Sequence, residues 1–169
     1  LKSPTSRQKI SEMKTLVFGA SGFLGQHFSR YFCGAIESQV DIADPNAVAS
    51  ELDRHRPDIV INCAGKTGRP NIDWCETNRE ETLRSNVTGP LVLLEACERR
   101  NVRIVQLSSG CIYDGNKNGS GYIEDDKPNF SDSFYSRTKA RCDELLSEFP
   151  VLILRIRMVF DNSLHPRSL

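Results

Sequence analysis

The sequence predicts a single α/β domain built on a doubly wound parallel sheet, and two observations carry that prediction. Short runs of β-forming residues alternate along the chain with longer segments of helical periodicity, which is the pattern of a sheet with helices on both faces. The runs LVF, IVIN, IVQL and VLIL are apolar on both faces, as expected of covered parallel strands. A chain of 169 residues, 38% of them hydrophobic, suffices for one core.

The elements are predicted to begin at Met13, because residues 1–12 are polar and lack periodicity, as in a flexible tail or linker. The domain is therefore expected over residues 13–169. Strands are predicted for KTLVFG (14–19), SQVDI (38–42), DIVINCAG (58–65), VRIVQLSS (102–109) and VLILRIR (151–157). Helices are predicted for FLGQHFSRYF (23–32), PNAVASELDRHR (45–56), TLRSNVTGPLVLLEACERR (82–100) and SDSFYSRTKARCDELLSEF (131–149).

Two helix starts carry capping signals. Asp44 before Pro45 is a good N-cap followed by a proline in the first turn, and Ser131 or Asp132 can cap the last helix.

Charge and hydropathy exclude several function classes. The 22 Lys and Arg residues balance 22 Asp and Glu residues, so no net field attracts nucleic acid or an anionic membrane. No apolar run approaches the roughly 18 to 20 residues that span a bilayer, and the N-terminus lacks the apolar core of a secretory signal. We therefore expect a soluble, cytoplasmic protein without nucleic-acid or membrane partners.

The six cysteines predict neither disulfides nor a metal site. They are widely spaced, form no CxxC pair and have no histidine at zinc-finger spacing. Five of them are expected to be buried as small apolar side chains: Cys33, Cys63, Cys75, Cys97 and Cys142.

A glycine triplet, Gly19, Gly22 and Gly25, follows the first predicted strand and enters the first helix. Such a turn brings backbone close to a pyrophosphate, packs the helix on its strand and points the helix N-terminus at the phosphates. The turn therefore favours dinucleotide binding, although small residues also serve ordinary turns between a strand and a helix.

Tyr135 and Lys139 stand four apart on a predicted helix, so their side chains share a face. A lysine there can lower the pKa of the phenol and hold a ribose, leaving the tyrosine to donate a proton to a carbonyl under reduction. The alternative is an ordinary pair on a solvated helix face.

The stretch SSGCIY ends the fourth predicted strand, where such sheets place their ligand crevice. In an extended strand Ser108 would face away from Ser109 and serve as a satisfied loop hydroxyl, whereas Cys111 would share the side of Ser109 about 7 Å further along. A thiol beside a ketone is placed to exchange protons on the neighbouring carbons. A buried strand-end cysteine is the alternative.

Together with DIAD, NCAG, NVTG at Asn86 and YSRTK, the spacing GxxGxxG resembles the extended short-chain dehydrogenase/reductases. The resemblance implies a Rossmann-type domain whose glycine loop (Gly19, Ser21, Gly22, Phe23, Leu24, Gly25) holds NADPH or NADH, with Tyr135 and Lys139. It implies that Asp41 and Ile42 lie near the adenine, that Ala64 and Gly65 lie beside the cofactor, and that Asn86 orders the site. The S/T-x-x-x-Y/F pattern of the superfamily selects Ser109 as the catalytic hydroxyl.

Within that superfamily the blocks KTGRPNIDWCE, GCIYDGN, KPNFSDSFYSRTK and LRIRM resemble plant-type nucleotide-rhamnose synthases, which are related to dTDP-4-dehydrorhamnose reductases. The resemblance implies 3,5-epimerisation and 4-reduction of a UDP- or dTDP-linked 4-keto-6-deoxy sugar, and a possible homodimer. Ser109, Cys111, Ile112 and Tyr113 also match a Ser-x-Cys-Ile-Tyr motif of bifunctional GDP-fucose synthases, in which the cysteine is implicated in epimerisation. The loop with Thr67, Gly68, Arg69, Asn71, Asp73 and Trp74 is expected to touch the sugar, or simply to cap the sheet.

Two alternative functions remain open, and the chain departs from these enzymes in one respect. The alternatives are a plain 4-reductase and a non-catalytic NAD(P)-binding regulatory subunit. In these enzymes the chain continues into a substrate domain that carries the second epimerase acid/base. We expect both beyond residue 169, and His165 is not assigned that role. The choice between NADPH and NADH stays open, since Glu37 cannot be aligned and Ser21 stands where some NADP-using relatives have arginine.

Overall fold

The computed structural model describes residues 13–159, so the predicted tail at residues 1–12 and His165 lie outside the described part of the chain. Within that part, five strands form one parallel sheet in the order β2-β1-β3-β4-β5: Thr15–Phe18 (β1), Ile36–Ser38 (β2), Ile59–Asn62 (β3), Arg103–Ser109 (β4) and Val151–Ile156 (β5). The α-helices are Phe23–Tyr31 (α1), Pro45–His55 (α2), Trp74–Thr77 (α3), Arg79–Leu83 (α4), Gly89–Glu98 (α5) and Phe134–Leu146 (α6). A π-helical turn, Arg84–Thr88, joins α4 to α5, and 3₁₀ turns occupy Gly110–Ile112 and Lys117–Gly119.

The predicted doubly wound fold is confirmed. The chain runs outward from β1 to β2 on one side and from β3 to β5 on the other. The strand order therefore reverses between β1 and β3, and a crevice opens there beyond the carboxyl ends of the strands.

The core lies on both faces of the sheet because neighbouring strand residues point in opposite directions. Leu16, Val60 and Ile104 pack on one face with buried residues of α2, α5 and α6. Val17 and Ile61 pack on the other face, against Phe28 of α1.

The predicted second strand at residues 38–42 is wrong. Strand β2 is Ile36–Ser38 and pairs with β1 from Leu16↔Ile36 to Phe18↔Ser38. Asp41 instead forms a turn in which its Oδ1 accepts the backbone N–H of Ala43 at 2.9 Å. A short aspartate side chain that binds its own backbone competes with strand pairing.

One predicted helix cap is confirmed and the other is wrong. Asp44 Oδ1 accepts from the backbone amides of Asn46 at 2.9 Å and Ala47 at 3.1 Å, and Pro45 begins α2. Helix α6 begins at Phe134 with Ser133 as its N-cap, so neither Ser131 nor Asp132 fills that role. The predicted helix 82–100 begins earlier, at Arg79, and contains the π turn.

The expectations about membrane spans and cysteine burial can both be compared with the structure. Between residues 13 and 159 no helix has the length and apolarity needed to cross a bilayer. All six cysteines fall within this range as free thiols, but the expected burial is wrong for Cys33, which is exposed, and for Cys63, which is half-buried.

Candidate active site

A cavity of about 910 Å³ opens at the crevice beyond the carboxyl ends of the strands. Its lining includes twelve predicted site residues: Gly22, Phe23, Leu24, Ala64, Gly65, Thr67, Gly68, Arg69, Asn71, Asn86, Tyr135 and Lys139. Nine predicted site residues stand outside this lining: Gly19, Ser21, Gly25, Asp41, Ile42, Asp73, Trp74, Ser109 and Cys111. The cavity is therefore walled by the glycine loop, the turn after β3, the loop before α3 and the start of α6.

The three glycines of the first turn have different roles. Gly19 has φ +70°, and a Cβ there would lie 2.5 Å from the backbone N of Ala64. A Cβ on Gly25 would lie 2.1 Å from the carbonyl oxygen of Gly19, so this glycine lets α1 pack on the turn. Gly22 lines the cavity, and a Cβ there would meet only the Gly19 oxygen, at 3.3 Å. Two glycines thus shape the turn, and the third keeps the cavity open.

A buried pair of side-chain amides, which sequence reasoning missed, supports the turn after β3. Asn62 donates from Nδ2 to Gln106 Oε1 at 2.8 Å and accepts from the backbone N–H of Ala64 at 3.0 Å. The only sequence signal is a polar residue at a buried strand position in each of β3 and β4.

Cys63, which also lines the cavity, has its pKa raised to about 12 by burial, so its thiol stays protonated.

Asn86 fixes the loop that follows this turn. From the π turn, its side chain accepts the backbone N–H of Lys66 at 2.8 Å and donates to the Lys66 carbonyl at 2.9 Å. Its Nδ2 also lies 3.4 Å from Thr138 Oγ1 on α6. The predicted ordering role of Asn86 therefore has a geometric basis, since this side chain joins the cavity loop to the helix that carries Tyr135.

Asp41 and Ile42 occupy the turn before α2. The backbone N–H of Ala43 and the Arg84 guanidinium, whose Nη2 donates to Asp41 Oδ2 at 2.8 Å, hold the pKa of Asp41 below its usual value. Ile42 is buried against Gly89, where an added Cβ would lie 2.5 Å from its Cγ1.

Tyr135 and Lys139 meet at the cavity wall, and both are buried. Lys139 donates from Nζ to the carbonyl oxygen of Leu107 at 2.9 Å. Burial lowers the pKa of Lys139, whereas burial raises the pKa of Tyr135 and a hydrogen bond with the Ser109 side chain partly offsets that rise. The expected lowering of the phenol pKa by the lysine is therefore not observed, because desolvation dominates.

Ser109 and Cys111 are arranged differently from the extended geometry that the sequence suggested. Strand β4 ends at Ser109, whose Oγ accepts the backbone N–H of Cys111 at 3.1 Å and so caps the 3₁₀ turn Gly110–Ile112. The expected position of Cys111 along an extended strand is therefore wrong. The thiols of Cys111 and Cys75 still lie close enough to Tyr135 that their charged forms would raise its pKa.

Ser108 is a residue whose importance sequence reasoning underestimated. It lines the cavity, and its buried Oγ has no hydrogen-bond partner in the described part of the chain. The expectation of a satisfied loop hydroxyl is wrong, because β4 remains extended through this residue and no loop backbone reaches its oxygen. A polar ligand in the cavity would supply the missing partner.

The family of this chain follows from comparison with known proteins. The model of the RmlD substrate binding domain family matches residues 13–167. The chain belongs to this family. The resemblance to nucleotide-rhamnose synthases and dTDP-4-dehydrorhamnose reductases is thereby confirmed at the level of the family.

Plant and viral relatives resemble the chain over most of its length. It is 38% identical to a trifunctional UDP-glucose 4,6-dehydratase/UDP-4-keto-6-deoxy-D-glucose 3,5-epimerase/UDP-4-keto-L-rhamnose-reductase of Arabidopsis thaliana, over 92% of this chain and 25% of that protein. It is 35% identical to a bifunctional dTDP-4-dehydrorhamnose 3,5-epimerase/dTDP-4-dehydrorhamnose reductase of the same plant, over 94% of this chain and 56% of that protein.

A solved structure agrees with these sequence matches. The UDP-rhamnose synthase of Acanthamoeba polyphaga mimivirus superposes with a TM-score of 0.85 at 36% identity, over 92% of this chain and 60% of that chain. The chain thus spans between a quarter and three fifths of the length of these relatives.

The cavity of this RmlD-family domain fits a nicotinamide dinucleotide. The first turn of α1 contains no acidic residue and its N-cap residue, Gly22, has no side chain that could cap it, so the helix N-terminus is suited to a phosphate. Gly22 leaves room beside it, and Ser108 and Lys139 offer polar groups at the far wall.

Proposed function

We propose that this chain carries the reductase site of an NAD(P)H-dependent 3,5-epimerase/4-reductase that acts on a nucleotide-linked 4-keto-6-deoxy sugar. The supporting observation is that Tyr135 and Lys139 line one cavity together with the start of α1, where the N-cap residue is Gly22. The names of the plant and viral relatives support the substrate class. The UDP- and dTDP-linked sugars are both candidate substrates. A cytoplasmic location and a homodimer remain predictions from the sequence.

The cofactor would be NADPH or NADH, and it would supply a hydride when bound. Residues Gly22 to Leu24 would hold its phosphates at the helix N-terminus, and Lys139 would face its ribose. The dTDP-4-dehydrorhamnose reductase of Bacillus anthracis was crystallised with NADP and the UDP-glucose 4-epimerase of Thermus thermophilus with NAD. Both share the fold of this chain at 21% and 24% identity, so the choice between the two cofactors stays open.

The reduction step would use the protonated phenol of Tyr135. Burial raises its pKa, so the hydroxyl keeps its proton at neutral pH and can donate it to the C4 oxygen of the ketone. Ser109 would polarise the same oxygen through its hydroxyl. The proton moves from Tyr135 to the sugar oxygen as hydride reaches C4, and solvent then returns a proton to the phenolate.

The reductase assignment is tested by NAD(P)H oxidation with UDP-, dTDP- and GDP-linked 4-keto-6-deoxy sugars, using the full-length protein. Tyr135→Phe is expected to lower kcat by about 10²- to 10⁴-fold, since the positioned proton donor is removed. Binding of NAD(P)H should be retained. Absence of turnover with all three sugar nucleotides would exclude the proposal.

A plain 4-reductase is the second candidate, and the position of Cys111 favours it. This residue belongs to a 3₁₀ turn and is not part of the cavity lining. In the epimerase-reductase, Cys111→Ser would abolish solvent deuterium incorporation at C3 and C5 while sparing reduction of an already epimerised ketone. Unchanged deuterium incorporation would instead return Cys111 to a role in the core, and absence of incorporation by the parent protein would identify the plain reductase.

A non-catalytic regulatory subunit is less well supported. Ser109, Tyr135 and Lys139 are all present in the chain, and a purely regulatory module has no need to keep all three. Copurification with another enzyme, with the activity of the complex unchanged by Tyr135→Phe, would favour this alternative.

A further inference from the structure

The start of α6, which carries Tyr135, is held from outside its own helix. The backbone N–H of Phe134, the first helical residue, donates to Oε1 of Glu76 on α3. The hydroxyl of Ser133, the helix's own cap, accepts from the N–H of Ser136 at 3.0 Å. Because the first amides of a helix have no partner within the helix, Glu76 satisfies a donor that Ser133 does not reach.

The Glu76 carboxylate is oriented by contacts from α4 and α6. Its Oε2 lies 3.6 Å from Nη2 of Arg79 and 3.8 Å from Nη2 of Arg137. Both guanidinium groups also lie over the ring of Phe134, at 5.4 and 5.6 Å from its centroid. Glu76 thus stands in a cluster that joins α3 to the first turn of α6, where a negative charge complements the helix dipole.

Helix α3 is in turn joined to the cavity wall. Cys75, fully buried, places its Sγ 4.0 Å from the carbonyl oxygen of Lys66, at the beginning of the cavity loop. Trp74 closes the other side of this loop, because a Cβ on Gly68 would lie 2.5 Å from the Cβ of Trp74. The segment from Lys66 to Glu76 therefore connects the loop that lines the cavity to the backbone amide of Phe134, the residue before Tyr135.

The opposite side of the same helix start is held by the 3₁₀ turn that follows β4. Ser136 donates from Oγ to the carbonyl oxygen of Cys111 at 2.7 Å. Tyr135 lies between this bond and the Glu76 bond in the sequence, so its backbone is fixed by one neighbour on each side. Loss of either bond frees the first turn on that side.

We propose that Glu76 is a positioning residue: it sets the start of α6 and thereby fixes the Tyr135 hydroxyl relative to the loop that lines the substrate cavity. The inference rests on the proposed reductase function. Its physical basis is that the reacting atoms must be held closely, since a displacement of about 1 Å can lower the rate by about 10²-fold.

Two substitutions in the full-length protein separate the hydrogen bond from the charge. Glu76→Gln keeps an oxygen that can accept from Phe134, and Glu76→Ala removes it. We expect Glu76→Ala to lower kcat for sugar-nucleotide reduction by about 10- to 100-fold, and Glu76→Gln to stay within about threefold of the parent, a difference of about 0.7 kcal/mol. The Kd for NAD(P)H should not change in either variant, because the glycine loop is untouched.

Glu144→Ala is the matched control. Glu144 is also a glutamate paired with an arginine at i,i+3, here Arg141, but it lies exposed near the other end of α6. Its loss should leave kcat unchanged. Equal losses of kcat in Glu76→Ala, Glu76→Gln and Glu144→Ala would overturn the inference, since any change of surface charge would then have the same effect.

Hydrogen exchange provides a readout that does not require turnover. The amide of Phe134 should exchange faster in Glu76→Ala than in the parent or in Glu76→Gln, because its acceptor is lost. Faster exchange with unchanged kcat would overturn the positioning role, and unchanged exchange would overturn the capping itself. If the parent protein reduces no sugar nucleotide, the proposed function fails. Hydrogen exchange at the Phe134 amide then still decides whether Glu76 holds the start of α6.

Discussion

Burial moves the pKa values of Tyr135 and Lys139 in opposite directions, although the two side chains share one cavity wall. Desolvation disfavours the charged form of each group, so the phenol keeps its proton more firmly and the ammonium loses its proton more easily. For a reductase the first effect is useful, because the proton donor stays loaded. The second effect is a cost in stability, which a bound dinucleotide would partly offset.

Lys139→Met is expected to abolish activity and to raise stability by about 1–2 kcal/mol at neutral pH. The Leu107 carbonyl keeps a partner, since Gln106 Nε2 also donates to it at 2.8 Å. Because the pKa of Lys139 is lower in the folded state than the ordinary 10.5, the parent gains stability as the pH rises from the folded to the unfolded value. The stability advantage of Lys139→Met should therefore be fully present below the folded-state pKa of Lys139 and absent above its unfolded-state pKa. Urea unfolding across this range measures it, and a less stable variant at neutral pH would contradict the prediction.

Gly25→Ala and Gly22→Ala should separate folding from binding. A Cβ at Gly25 would collide with the Gly19 backbone at 2.1 Å, so we expect a loss of about 3 kcal/mol or more in the free energy of unfolding. A Cβ at Gly22 meets one atom at 3.3 Å but points into a cavity-lining position, so stability should change little. NAD(P)H affinity should fall about tenfold, or about 1.4 kcal/mol. Chemical unfolding and calorimetric titration measure the two effects, and equal affinities of parent and Gly22→Ala would refute this role of Gly22.

At the scale of elements, local signals predicted one helix start and missed another. The cap of α2 could be predicted, because Asp44 bonds only to amides two and three residues away. The start of α6 could not, since Glu76 contacts Phe134 across 58 positions of sequence. The position of Cys111 was predicted wrongly for a different reason. The Ser109 hydroxyl turns the chain at the end of β4, and a serine in a sequence does not reveal which amide N–H its oxygen will accept.

The buried ion pair between α6 and β5 should contribute strongly to the stability of that interface. Asp143 is buried and accepts from Nε of Arg155 at 3.0 Å, while Arg155 also donates to the Tyr113 hydroxyl at 2.8 Å. Asp143→Ala is expected to cost about 3 kcal/mol, because it leaves a mostly buried guanidinium without its carboxylate. Glu144→Ala, at an exposed pair on the same helix, should cost about 0.5 kcal/mol or less. Equal losses in the unfolding free energy of the two variants would contradict this ranking.

At the scale of the whole molecule, the alternation of strands and helices was enough to predict the sheet and its crevice. Strand order and covalent connectivity bring the glycine turn, the NCAG turn and α6 together at one edge, and no residue has to be identified to expect this. The composition of the cavity was harder to predict. Ser108, Cys63 and Ile156 line it, and their contribution depends on where β4 and β5 end.

Cofactor binding should stabilise the whole domain. At a concentration 100 times its Kd, a ligand that binds only the folded state adds about 2.7 kcal/mol. We expect a rise in melting temperature with NADPH or NADH, and the nucleotide that gives the larger rise at equal concentration is the preferred one. Gly22→Ala should reduce the shift. No shift with either nucleotide would contradict the assignment of the cavity.

The π turn Arg84–Thr88 has a consequence for how the domain tolerates insertions and deletions. A π turn holds one residue more than an α-helical path, and one residue corresponds to about 100° of rotation. The turn therefore sets the phase of α5 relative to α4, so that Asn86 points to the Lys66 backbone while Leu93 still reaches the core. Deleting a single residue here would restore a regular helix and leave one of these two side chains misdirected. The number of residues in this helical turn, and not only the identity of Asn86, therefore determines whether the cavity loop is held in place.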